Sequence, residues 1–319
     1  MQTQTHQLDT QAEAGFERIA RSTGLTQAQP STQAQPQEFY YHVPWRTRSV
    51  HVGSHKTSMR GAGSDFSAFV PLMNCPDPKR LDIRASMRTI PKQMMVRTFF
   101  ERNAIKVYAV TDMSGSMQFQ GAVEKNALQT QVVEAVAWSA LRQGDAFGML
   151  ACSNQALPHL SILPTYRKTA VQEARQKLTD YWRTTDATAQ GAMGLPESAK
   201  GLGAQRALVF LISDFHFSET LIDETFKALR MHDVVPVVLW DEEEFERLPT
   251  WGWARVREME IGLQRSLFMR PSLHQSIKAF AQARKQSLIA LSQAHGARMP
   301  FFVTNQLDVT ALSSHLMGG

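Results

Sequence analysis

Two short apolar runs, at 105–111 and 207–212, constrain this chain most, because each stops at an acid: Asp112 after the first and Ser213-Asp214 after the second. Apolar runs of this length, bounded by turn formers, read as buried strands. Stretches with helical spacing lie between and beyond them. In 129–143, Val132, Val133, Val136, Ala137 and Leu141 recur on one face, leaving Gln131, Glu134 and Arg142 on a wetter one. Further strands are predicted at 145–152, 234–240 and 299–304. Further helices are predicted at 169–182, 190–200, 218–231 and 271–294, with Ser218 as an N-cap. The alternation implies right-handed βα crossovers, and so an α/β fold with a doubly wound, mostly parallel sheet.

In such a sheet ligands bind in the crevice outside the C-terminal strand ends. If the two runs are central and parallel, Asp112 and Asp214 meet there. The segment Asp112-Met113-Ser114-Gly115-Ser116 adds two hydroxyls at alternate positions. One carboxylate and two hydroxyls aimed at one point suit a hard divalent cation such as Mg2+. The same residue types also make ordinary turns, so the pentapeptide gains its meaning from its place after a strand. Thr184-Thr185-Asp186-Ala187-Thr188 supplies a third hydroxyl-rich segment between the two acids.

The order Asp-x-Ser-x-Ser, loop Thr, strand-end Asp resembles the metal-ion-dependent adhesion site of von Willebrand factor A domains, whose fold is Rossmann-like. The resemblance implies that Asp112, Ser114, Ser116, Thr185 and Asp214 surround the metal, the serines bonding it directly and the aspartates often acting through water. The family usually has a glycine pair before its Thr, whereas Arg183-Thr184 stand here, so Thr184 and Thr188 remain alternatives to Thr185. Mg2+ is the expected ion, with Mn2+ or Ca2+ as alternatives.

A second likeness lies upstream. Residues 77–88, Asp-Pro-Lys-Arg-Leu-Asp-Ile-Arg-Ala-Ser-Met-Arg, resemble the segment Gly-Asp-Asp-x-Arg-x-Ile-Asp-Trp-x-Ala-Ser-Ala-Arg of the MoxR-associated, YeaD-like group of these proteins. Gly61-Ala62-Gly63-Ser64-Asp65-Phe66 and 96–102 match the stretches flanking that signature, whereas Cys75-Pro76 and Ile83 depart from it. The resemblance implies a MoxR-type AAA+ ATPase as partner. It also implies a client protein that reaches the metal through an Asp or Glu. Together the pair would mature or remodel that client, as in maturation of a metal-containing dehydrogenase such as methanol dehydrogenase.

Charge is unevenly placed. The chain carries a formal +5, yet 41–102 holds eleven basic residues against four acidic ones, a local +7. Arg80, Asp82, Arg84 and Arg88 lie in this arm and are candidate partner-binding residues; internal Arg–Asp pairing is the alternative use of the same charges. Three segments are expected: a disordered Gln/Thr/Ser/Ala-rich tail at 1–38, a family-specific basic arm at 39–102 packing on the main domain, and a von Willebrand factor A-like domain at 103–319. Residues 14–19 are a candidate for one helical turn within the tail. The absence of a signal peptide and of a bilayer-length apolar run points to a cytoplasmic protein without membrane insertion. Cys75 and Cys152 are too few for a disulfide framework, and Cys152 reads as a small core residue.

A non-enzymatic adaptor is therefore expected. Asp214 and His216 are only two apart at the end of a strand, and no Gly-x-Ser-x-Gly elbow surrounds a serine. Gly53-Ser54-His55-Lys56-Thr57 lacks the spacing of a phosphate loop. The acidic run 241–246 reads as a solvated turn outside the site. A metal-dependent, phosphatase-like hydrolase is one alternative. A basic nucleic-acid-binding module is the other, disfavoured because no recognised binding motif accompanies the charges.

Overall fold

The computed structural model describes residues 37–45, 52–61, 65–119, 121, 123–185, 190–241, 251–258 and 263–318. The expected tail and helical turn within 1–36 lie outside the described residues. In chain order the strands are β1 (Val52–Gly61), β2 (Asp65–Pro71), β3 (Leu81–Asp82), β4 (Met95–Asn103), β5 (Lys106–Asp112), β6 (Ala146–Cys152), β7 (Ile162–Thr165), β8 (Leu208–Ser213), β9 (Asp233–Leu239), β10 (Gly252–Glu258), β11 (Leu263–Met269) and β12 (Phe301–Val303). The helices are α1 (Ile83–Arg88), α2 (Lys125–Arg142), α3 (Thr169–Thr184), α4 (Leu195–Ser198), α5 (Glu219–Leu229), α6 (Pro271–Ala294) and α7 (Val309–Met317).

The main sheet has the order β12-β9-β8-β5-β6-β7, and every pairing is parallel except β6 with β7. β5 and β8, the two runs ending in acids, are adjacent at its centre. Period-two alternation divides their side chains between two cores. Val107 and Ala109 join Phe210 and Ile212 on the face covered by α2, α3 and α7. Tyr108 and Val110 join Val209 and Leu211 on the face covered by α4, α5 and α6. The sheet is thus wound on both sides, as the alternation of elements predicts. Gly148 of β6 makes room for the Tyr108 ring, since a Cβ there would lie 2.8 Å from Tyr108 Cε1.

Helix α6 has the bounds expected from sequence, and Ser218 caps α5 by accepting from Leu221 N at 3.3 Å. The predicted helix at 190–200 is reduced to the single turn α4 and a 3-10 turn at Ala199–Leu202. Gly194, Pro196, Gly201 and Gly203, the last at φ 75°, break it up. Sequence patterning did not foresee five further pieces: an antiparallel sheet β1-β4-β2 with β3 on β4, the short helix α1, the edge strand β7, the hairpin β10–β11, and α7. The Gly53–Thr57 stretch runs inside β1, in strand rather than phosphate-loop conformation.

Residues 37–45 are built into the main core. Phe39 is fully buried against Phe210, and its N–H donates to Ser139 Oγ at 2.9 Å. Just before β6, fully buried Asp145 gathers three donors. Oδ1 accepts from Ile105 N at 2.8 Å, while Oδ2 accepts from Tyr41 Oη at 2.5 Å and meets His55 Nε2 at 2.8 Å. The Tyr41 and His55 rings stack at 5.6 Å. Burial and the Asp145 carboxylate push the Tyr41 phenol well above its ordinary range. This knot sits where β5 and β6 begin, the end of the sheet opposite Asp112.

Candidate functional site

Parallel register pairs Thr111 with Ile212, so Asp112 and the Ser213-Asp214 dipeptide leave the sheet side by side. Asp112 is locked in place on both oxygens. Oδ1 accepts from Ser114 N at 2.9 Å and Oδ2 from Ser213 Oγ at 2.6 Å, while its carbonyl accepts from Gln129 Nε2 at 2.6 Å. The chain then turns through a 3-10 segment, Gly115–Gln118, which brings Ser114 Oγ within 3.1 Å of Ser116 Oγ. Ser116 Oγ donates to Asp214 Oδ1 at 3.1 Å. Four of the five expected metal-site residues are thereby linked from Asp112 to Asp214.

Lysine 125 also enters the site. Its Nζ donates to Asp214 Oδ2 at 3.0 Å, with the lysine 2% and the aspartate 0% exposed, and it lies 5.5 Å from the Phe119 ring centroid. Burial and the neighbouring Asp214 charge push the Asp112 carboxyl up to about 7. Burial raises Asp214 too, but the charges of Lys125 and His216, with hydrogen bonds from Lys125 and Ser116, outweigh it and hold Asp214 at about 2. The two acids therefore differ in character: one favours its proton and the other its charge.

The third segment enters by its backbone. Gln118 Nε2 donates to the Thr185 carbonyl at 2.9 Å, and Gly115 N donates to the Gln190 carbonyl at 2.8 Å. The Thr184 hydroxyl donates to Asp180 O on its own helix at 2.7 Å. Asp186 and Thr188 lie outside the described residues. Of the threonines described, Thr185 is the one whose own atoms bond the Gly115–Gln118 turn.

His216 also lies at the site. The strand ends at Ser213 and Phe215 takes φ 54°, and after this turn His216 Nδ1 comes within 3.6 Å of Asp214 Oδ2. Asp241, expected in a solvated run, is buried at the end of β9 and accepts from Val123 N at 3.2 Å. A Cβ at Gly121 would lie 2.5 Å from its Oδ2. Its sequence signal is the one that marks Asp112 and Asp214: an apolar strand ending on an acid. Residues 242–246 lie outside the described residues.

The donors fit a hard divalent ion in kind, being two carboxylates and two hydroxyls with neighbouring oxygens about one coordination edge apart. Among the described residues no three His, Cys, Asp or Glu side chains form a metal-holding group, so the serines are essential to such a site.

The arm residues separate into two kinds. Asp82 is buried, caps α1 by accepting from Ala85 N at 2.8 Å, and accepts from Arg97 Nε at 2.6 Å. These bonds, the Ala85 one foremost, hold its carboxyl below the usual range. Arg80 pairs with Asp77 at 3.1 Å. Arg84 and Arg88 are exposed beside exposed Ile83, Met87 and Ile90. Cys152 is fully buried, and burial followed by the Asp112 charge pushes its thiol well above the ordinary value.

Residues 76–287 match the model of a family described as protein of unknown function DUF58. The chain belongs to the DUF58 family. The matched region of this DUF58 chain runs from the segment before α1, through the turn bearing Ser114 and Ser116, and into α6. A BatB protein of Bacteroides thetaiotaomicron is similar at 15% identity and a TM-score of 0.38, over 66% of this chain and 97% of the other. An aerotolerance-related membrane protein of Bacteroides fragilis is similar at 11% identity and a TM-score of 0.38, over 67% and 96% respectively. No curated protein matches the chain. Among the described residues no helix is long and apolar enough to cross a membrane.

Proposed function

We propose that this chain is a non-enzymatic, metal-dependent adaptor of the cytoplasm that works with a MoxR-type AAA+ ATPase to mature or remodel a client protein. The observation that carries this reading is the hydrogen-bonded path Asp112, Ser114, Ser116, Asp214 at the C-terminal ends of two adjacent parallel strands. Mg2+ bound there would supply a coordination position for a carboxylate of the partner. Ser114 and Ser116 present the hydroxyls that hold the ion. Asp112 is kept in register by Ser213 and by the Ser114 N–H, and Asp214 by Ser116 and Lys125. Two carboxylates, one ammonium and one divalent ion leave a single positive charge, which favours an Asp or Glu from outside.

The arm adds a second contact of different chemistry. Met73, Ile83, Met87, Ile90 and Met94 are exposed, and Ile90 is 96% exposed. Arg84, Arg88 and Lys92 lie among them and have no ion-pair partner among the described residues, because Asp77 and Asp82 are engaged by Arg80 and Arg97. Flexible methionines with unpaired cations suit an acidic, apolar protein segment, and the patch lacks the Trp and Tyr typical of a membrane interface.

A pull-down from native lysate in Mg2+, in EDTA, and with Asp112→Ala in Mg2+ tests the adaptor reading. Capture of an AAA+ ATPase or a metalloenzyme subunit is expected only from the unsubstituted chain in Mg2+. Equal recovery in all three samples removes the metal from the function. In the same assay Arg84→Glu/Arg88→Glu is expected to weaken capture at least about tenfold while leaving Mg2+ binding intact, each reversed charge acting against an acidic surface. Unchanged capture by that variant assigns docking to the metal end alone.

The approach of His216 to Asp214 favours a second reading, a metal-dependent phosphoester hydrolase. Turnover of p-nitrophenyl phosphate that requires Mg2+ and is lost in His216→Ala would establish it in place of the adaptor.

A further inference from the structure

The carboxylate that closes the candidate metal site already has a cation beside it. Lys125 is the first residue of α2 and lies on the stripe that continues through Leu128, Gln129, Val132 and Val136 toward the sheet. Its ammonium, buried with Asp214, is not a solvated surface charge that happened to fall nearby. Removing a full charge from water is costly unless a counter-charge repays it, and Asp214 Oδ2 at 3.0 Å does so. The other oxygen, Oδ1, faces Ser116. An ion gripped by Ser114, Ser116 and Asp214 would share that carboxylate with Lys125 in a place shielded from water, where like charges a few ångströms apart repel strongly.

We infer that Lys125 is a built-in competitor of the metal: its ammonium neutralises Asp214 while no ion is bound and keeps the site's own cation affinity low, so that a divalent ion is held firmly only together with an acidic group from a partner. The inference rests on the metal reading above. With Lys125 present, Asp112, Asp214, Lys125 and the ion together carry one positive charge more than they would with an uncharged residue at 125, and an incoming carboxylate offsets it. Without Lys125 the ion alone balances the two aspartates. Ion and partner then no longer need each other. By linkage, whatever the partner carboxylate adds to ion affinity, the ion adds to partner affinity.

The test is Mn2+ binding to the full chain, followed by electron paramagnetic resonance of the free ion and by calorimetry, with sodium acetate standing in for the partner carboxylate. Lys125→Met is expected to bind Mn2+ at least about tenfold more tightly than the unsubstituted chain, and acetate to tighten binding in the unsubstituted chain only. Lys125→Arg, which keeps the charge, should behave like the unsubstituted chain. Circular dichroism checks the fold, and Lys125→Gln carries the same expectation if the methionine variant does not fold. Equal or weaker binding by the uncharged variants overturns the inference and leaves the metal reading intact, since Lys125 would then be holding Asp214 in place for the ion. No Mn2+ uptake by any of the proteins overturns both.

Discussion

Asp145→Ala should lower the free energy of unfolding by about 3–5 kcal/mol, read from urea denaturation in EDTA. Three donors lose their acceptor at once: Ile105 N, Tyr41 Oη and His55 Nε2, all converging on a carboxylate with no exposed surface. An unsatisfied buried donor forfeits its hydration without compensation, so the loss exceeds the modest net value of any single hydrogen bond. Tyr41→Phe removes one of the three bonds and should cost only about 1 kcal/mol. Because the knot lies at the opposite end of the sheet from Asp112, Mg2+ binding by folded Asp145→Ala should match that of the unsubstituted chain. A loss under about 1 kcal/mol for the alanine variant would show that water replaces the carboxylate and that the knot is incidental.

Asp214→Ala should be comparably severe, about 3–5 kcal/mol, because it removes a buried carboxylate that lies 3.0 Å from a buried ammonium. It also removes the acceptor of Ser116 Oγ and of His216 N at 3.2 Å. A double-mutant cycle separates these effects. Lys125→Met/Asp214→Ala, which buries neither charge, should recover a large part of the loss, as buried ion pairs replaced by apolar groups commonly do. Additivity of the two single changes to within about 0.5 kcal/mol would mean that the pair contributes little and that Lys125 is stabilised elsewhere.

The five parallel strands of the central sheet are legible as apolar runs, with Asp112 and Asp214 standing out as the acids that end two of them, whereas the half-exposed edge strand β7 is not legible. The small antiparallel sheet was not legible. The sequence of β1, Val-Gly-Ser-His-Lys-Thr-Ser-Met-Arg-Gly, has neither an apolar run nor a clean alternation, so nothing local marks it as a strand. Helix α7 is short, and only Leu312 and Leu316 carry its buried face. Lys125 is hidden in the sequence for a different reason. The helix was expected to begin near Gln129, yet stepping back from Val136 and Val132 by helical spacing leads through Gln129 to Lys125 on the same inward stripe. Two polar residues at the end of a core stripe nearest the acids are the available signal, and it becomes readable only if the helix is extended by one turn. His216 could not be placed, since its position depends on the positive φ of Phe215, which a bulky aromatic residue does not advertise.

The opening and closing stretches of the described chain are stitched together. Tyr40 N donates to Ser313 Oγ at 3.1 Å, and Arg298 donates both to the His42 carbonyl at 2.7 Å and to the Leu316 carbonyl at 3.2 Å. During synthesis, Phe39 and Tyr41 thus leave the ribosome some 273 residues before the hydroxyl that bonds their neighbour exists. The fold cannot be completed cotranslationally in order from its first residue. Phe39 and Tyr41 can meet Ser139, Asp145 and Phe210 earlier, but the bond from Tyr40 to Ser313 closes only once α7 has emerged.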